Sequence, residues 1–98
     1  MKKFYGGIFM DKDKLKKVGI FYPIKVEYYK LKEEGNIDIF GIEVIKTEYK
    51  NNDVLVEKED IKRLTSDEDE ANHILDILKE NEVTPIIVRE VVQDYIKC

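Results

Sequence analysis

Ninety-eight residues, 43% of them hydrophobic and 39% charged, hold one domain spanning 1–98. They leave no room for a second core and carry too much Ile, Val, Leu, Phe and Tyr for a disordered chain. No segment approaches the roughly 18 apolar residues of a membrane span, and the single cysteine, Cys98, excludes an internal disulfide and fits a reducing, cytoplasmic setting. A net charge of −4 argues against nucleic acid as the main partner.

The charge is segregated. Residues 1–32 carry nine lysines and three acids, whereas residues 33–98 carry eight Lys or Arg and eighteen acids. Two such halves are expected to lie side by side and neutralise each other. The opening stretch from Met1 to Met10 is too short and too glycine-broken for a signal peptide. Its Gly6-Gly7 doublet suits a bend in a strand, and residues 3–10 and 18–22 are candidates for additional strand.

From Ile24 to Lys32, Ile24, Val26 and Tyr28 alternate with Lys25 and Glu27, the period of a half-buried strand. Glu33-Glu34-Gly35-Asn36 supplies a turn, and a second strand runs from Ile37 to Tyr49. The apolar parity of that strand changes at Gly41, from Ile37 and Ile39 to Phe40, Ile42 and Val44, which predicts a bulge or a strand buried on both faces. Lys50-Asn51-Asn52-Asp53 turns the chain again, and Val54-Leu55-Val56 opens a third strand. The pattern is an antiparallel meander of three to five strands.

The period then changes. Thr65 and Ser66 are candidate N-caps with acids three residues on, Glu68 and Asp69, and Ala71, Ile74, Leu75 and Leu78 form a helical stripe that Asn81 can end. Thr84-Pro85 predicts a second helix over 85–97, capped by Thr84, with Pro85 in its first turn. Ile87, Val88, Val91, Val92, Tyr95 and Ile96 fill about half its circumference, wider than a one-sided stripe. The surplus predicts two buried flanks, one of them meeting a second copy of the chain through Val92, Tyr95 and Ile96. The fold class is therefore α+β, a meander followed by two C-terminal helices packed on it.

Nothing along the chain assembles a catalytic constellation, so no enzyme activity, metal or cofactor is expected. The one histidine, His73, shares a helical face with Asp69, Asp76 and Glu80, but that face lies opposite the apolar stripe and reads as solvated. Ser66 is taken as a cap, and Cys98 has no activating neighbour in sequence. A second reading comes from the first third, where Phe4, Tyr5, Phe21, Tyr22, Tyr28 and Tyr29 interleave with lysines. A sheet showing aromatics for stacking, with Lys14, Lys16, Lys17, Lys25 and Lys30 as a basic patch, would suit a single-stranded nucleic acid.

The segment Glu80-Asn81-Glu82-Val83-Thr84-Pro85-Ile86, followed by Val88, Glu90, Val91, Val92 and Asp94, resembles a family of short uncharacterised proteins of low-GC anaerobic Gram-positive bacteria, a domain of unknown function. The similarity extends to the tyrosine-rich strand Val26-Glu27-Tyr28-Tyr29-Lys30-Leu31 and to Gly41-Ile42-Glu43, covering residues 24–96, while the Lys-rich start departs from it. Such a family implies no catalytic residue. The leading expectation is a small non-enzymatic interaction or regulatory module that binds a protein partner or itself; the nucleic-acid reading is the alternative.

Overall fold

A computed structural model of the chain describes residues 1–97. Four strands, β1 (Lys2–Met10), β2 (Ile24–Glu33), β3 (Ile39–Lys50) and β4 (Asp53–Thr65), form one antiparallel sheet in sequence order. A short helix α1 (Lys12–Leu15) and a 3-10 turn (Lys16–Val18) join β1 to β2, and two longer helices, α2 (Glu68–Glu80) and α3 (Val88–Lys97), follow the sheet. The architecture is the expected α+β meander. Residues 18–22 form no strand: Gly19 adopts φ 83°, and the Ile20 amide donates back to the Leu15 carbonyl (3.2 Å).

Alternation along the strands sends one face of the sheet to the helices. Val26 and Tyr28 of β2 and Ile42 and Val44 of β3 are buried there, against Ile74, Leu75 and Leu78 of α2 and Val88 and Val92 of α3. In β3 the parity does not in fact change. Phe40, Ile42 and Val44 all face the core, and Ile37 lies exposed before the strand begins. The irregularity at Gly41 belongs to β4, where Phe40 pairs with Thr65 and Ile42 with Ile61, so that extra residues of β4 bulge out with Arg63 at φ 56°. A Cβ on Gly41 would collide with the Ile61 carbonyl oxygen, so only glycine permits this approach. A second bulge, between Phe4 and Gly6, turns Tyr5 towards α2.

Helix boundaries follow from where the strands end. β4 runs through Thr65, so the cap of α2 falls on Asp67 rather than on Thr65 or Ser66. The Asp67 carboxylate accepts from the Asp69 and Glu70 amides, and Thr65 Oγ1 accepts from the Asp67 amide (3.0 Å). α2 stops as expected at Asn81, in a Schellman turn: the Val83 amide donates to Leu78 O (2.9 Å) and the Glu82 amide to Lys79 O (3.2 Å). Glu82 holds the left-handed position at φ 51°.

α3 begins later than the sequence suggests. Residues 84–87 close a separate turn, with the Ile87 amide on Thr84 O (3.2 Å), and Pro85 is buried in it. Its apolar arc is buried only along the centre. Val88 and Val92 are inside, Val91 and Tyr95 are half-buried, and Ile87 and Ile96 at the two margins are 41% and 56% exposed.

Two stability outcomes follow from this packing. Val88→Ala and Val92→Ala should each cost about 1–3 kcal/mol in denaturant unfolding, and Val91→Ala clearly less. Glu82→Gly should raise stability by about 0.5–1 kcal/mol, because glycine removes the left-handed strain at a modest entropic cost. A loss of stability on Glu82→Gly would mean that its side chain does something the turn geometry does not require.

Candidate interaction surface

Among the described residues, no helix lies on the other face of the sheet. Strand register lays out its rows: Phe4, Tyr29, Glu43 and Asp60 lie side by side across the four strands, then Gly7, Glu27, Ile45 and Lys58, then Phe9, Lys25, Thr47 and Val56, with Tyr49 beside Val54 beyond them. Phe4, Phe9, Val54 and Val56 are 56%, 62%, 61% and 53% exposed. Single exposed apolar residues are ordinary, but here four stand at the two margins of one sheet face, with half-buried Tyr29, Ile45 and Tyr49 between them.

Several of the polar groups on this face are bound down within it. Lys2 Nζ donates to Glu43 Oε1 (2.9 Å) and lies 4.6 Å from the Tyr29 ring centroid. The Tyr29 hydroxyl donates to Glu27 Oε2 (2.9 Å), Lys25 Nζ lies 3.6 Å from Glu27 Oε1, and the Phe4 ring meets Tyr29 edge-on at 5.6 Å. The hydrogen bond to Glu43 raises the Lys2 pKa, and the one to Glu27 raises that of Tyr29. Near the Lys2 end of the sheet a shallow hollow of about 250 Å³ is lined by Leu31 and Ile39 and by Lys2, Lys32, Lys62 and Arg63. Three of these cations are already matched, Lys2 by Glu43, Lys32 by Asp38 and Arg63 by Glu33.

The residues proposed as a basic patch do not share a surface. Lys14, Lys16 and Lys17 are exposed on α1 and the turn after it, and Lys25 lies on the open face beside Glu27. Lys30, five residues on and of opposite parity, points to the helix side, where it binds Glu68 (2.6 Å) and Asn72 (3.1 Å) and lowers the Glu68 pKa. The aromatics divide in the same way: Tyr28 is in the core, Tyr5 reaches α2, and Phe4 and Tyr29 face outward. Contacts such as Lys2–Glu43 and Lys30–Glu68 bring the basic and acidic halves together.

The self-association flank expected on α3 is also reduced. Val92 is 2% exposed and part of the chain's own core, so it presents nothing to a partner. Tyr95 is half-buried with its ring 5.6 Å from that of His73, and only Ile96 of the three is open. Around His73, Asp69 and Glu80 are exposed on the outer side of α2 and Asp76 accepts from the Tyr5 hydroxyl (2.7 Å). Cys98 lies outside the described residues.

A family model matches residues 1–98. The chain belongs to DUF6514, a family of unknown function. The DUF6514 match takes in the Lys-rich residues before Ile24 as well as the segments that carry the resemblance, consistent with β1 being an integral strand of the sheet. No curated protein and no solved structure matches the chain. Among the described residues no helix is long and apolar enough to cross a membrane.

Sequence reasoning missed the open face, although its signal was present. The outward positions of β2 and β3 include Tyr29, Leu31, Ile45 and Tyr49, too apolar for a solvated face.

The Tyr5–Asp76 bond yields a pH test. Donation to the Asp76 carboxylate, helped by burial, raises the Tyr5 pKa from 10.0 to about 12. A raised phenol pKa contributes stability that is fully present below the unfolded value of 10.0 and is lost as pH rises towards about 12. Tyr5→Phe should cost about 1 kcal/mol at neutral pH and make the alkaline fall in stability shallower. An alkaline profile as steep as that of the wild type would show that Tyr5 is not linked to it.

Proposed function

We propose that this DUF6514 chain is a non-enzymatic, cytoplasmic interaction module that docks a protein on the open face of its sheet. The observation that carries the reading is the exposed apolar residues themselves: Phe4, Phe9, Val54 and Val56 on a four-stranded sheet face on which Lys2 and Lys25 are paired in place with Glu43 and Glu27. Flat, aromatic and β-branched surface of this kind suits another protein. The ionisable groups with displaced pKa values, Lys2, Tyr5, Tyr28, Tyr29 and Glu68 among them, are held by structural contacts or burial rather than gathered at one cleft, which supports a binding role over a catalytic one. A nucleic-acid role gains little support, since the open face balances Lys2, Lys25 and Lys58 with Glu27, Glu43 and Asp60. The single cysteine supports the cytoplasmic setting.

Site-specific photo-crosslinking in the native host tests the docking face. A crosslinker replacing Lys58, on the open face, should give protein adducts that disappear on Val56→Glu, and one replacing Glu70, on the outside of α2, should give none. Silence at position 58, or adducts indifferent to Val56→Glu, would end the reading.

A further inference from the structure

We infer that the occupant of the open face is a second copy of the same chain, forming a two-layered sheet dimer; this rests on the docking reading above and names its partner. A two-fold interface requires a patch complementary to itself, and this face meets that requirement in charge. The chain as a whole carries −4, which would set two copies repelling, yet across the rows of the face Lys2, Lys25 and Lys58 stand against Glu27, Glu43 and Asp60, and Glu33 of the same parity is matched by Arg63. A partner of strong single-sign charge would gain nothing from such a surface, whereas an identical one loses nothing.

The arrangement is complementary in shape as well. The most exposed apolar side chains stand in the two outer strands, Phe4 and Phe9 on β1 and Val54 and Val56 on β4. A two-fold axis running along the strands, between β2 and β3, exchanges the outer strands and lays Phe9 of one copy over Val56 of the other. The same operation places Lys58 over Gly7, where the absence of a side chain leaves room, and next to Glu27 of the row they share. Lys58 has no ion-pair partner among the described residues of its own chain, so this contact would satisfy it.

Lys2 and Tyr29 keep their acceptors on burial, and the cost falls on Asp60, which the same axis lays over Phe4 and which has no ion-pair partner among the described residues. Four strands about 4.8 Å apart and some nine residues long at roughly 3.3 Å each give a face on the order of 600 Å² in projection. Accessible area exceeds projected area, which brings the face to the scale of the roughly 800 Å² that each partner covers in a standard interface. Face-to-face sheets packed in this aligned way lie about 10 Å apart, as in β-sandwiches.

Sedimentation equilibrium of the purified chain at micromolar concentration, with an isotope-filtered NOE experiment on a mixed labelled sample, tests this directly. The expected result is a species of twice 11.6 kDa, with intermolecular contacts from the Phe9 ring to the Val56 methyls. Within one chain those residues stand three strand spacings apart, roughly 14 Å, beyond the range of the measurement. Val56→Glu should weaken association by about tenfold or more, since it buries an unpaired charge, while circular dichroism shows an unchanged fold because the site is exposed. Ile96→Glu, on the margin of α3, should leave the dimer intact. A monomeric wild-type chain overturns the proposal, and so does a dimer lost on Ile96→Glu but retained on Val56→Glu. If the pure chain is monomeric while position 58 still crosslinks a different protein in the host, the second copy is excluded and the docking face stands. If position 58 is silent as well, both fall.

Discussion

The Tyr28 ring is fully enclosed, and its hydroxyl donates to the Val83 carbonyl oxygen at 2.9 Å. Leaving that buried hydroxyl without an acceptor would cost about 1–3 kcal/mol, so the corner between α2 and α3 must come to the middle of the sheet. The Schellman turn supplies the means, directing Val83 inward beneath Leu78 and aiming its carbonyl at β2. Burial pushes the Tyr28 pKa up, so the phenol stays protonated and continues to donate. From this point α3 has one direction in which it can bury Val88 and Val92, and it runs along the same side of the sheet as α2.

That commitment places both long helices on one face. Among the described residues, helices of thirteen and ten residues are the covering layer for strands of up to thirteen residues, and no third helix of comparable length lies there for the other side. An antiparallel sheet tolerates this, because one of its faces can meet water. Here the second face interleaves its charged residues with strand-forming ones, Phe and Val at its margins and Tyr, Ile and Thr between them. The core is thus closed within one chain, while the open face keeps Phe4, Phe9, Val54 and Val56 exposed.

Electrostatics is arranged around the same division. The basic first third and the acidic remainder meet across strand and helix contacts, Lys2 with Glu43 on the open side and Lys30 with Glu68 on the covered side. Pairs as exposed as these add little stability individually. Their effect is to spread charge evenly, and in doing so they remove the continuous basic face that a phosphate backbone would need. On the edge of β4, Arg89 of α3 reaches the Asp60 carbonyl (3.0 Å) and the Glu59 carboxylate (3.2 Å), covering part of an otherwise open strand edge.

The sequence by itself determined the local structure: the alternation through Val26 and Tyr28 made β2, the stripe of Ala71, Ile74, Leu75 and Leu78 made α2, and the order of the elements made a meander with two helices. These depend on neighbours within a turn or two of chain, so periodicity suffices to read them. The tertiary structure decided everything that depends on which side of an element a residue takes. Lys25 and Lys30 looked like one patch but stand on opposite faces of β2, and Val92 looked available to a partner but is committed to the core beneath α3. A shift of one residue along a strand reverses its facing, and bulges at Tyr5 and opposite Gly41 make such shifts that no periodic count can locate. Whether the helices would cover one face or both was likewise invisible in the sequence, because it depends on long-range contacts, the shared apolar core and the bond from Tyr28 to Val83, fifty-five residues away.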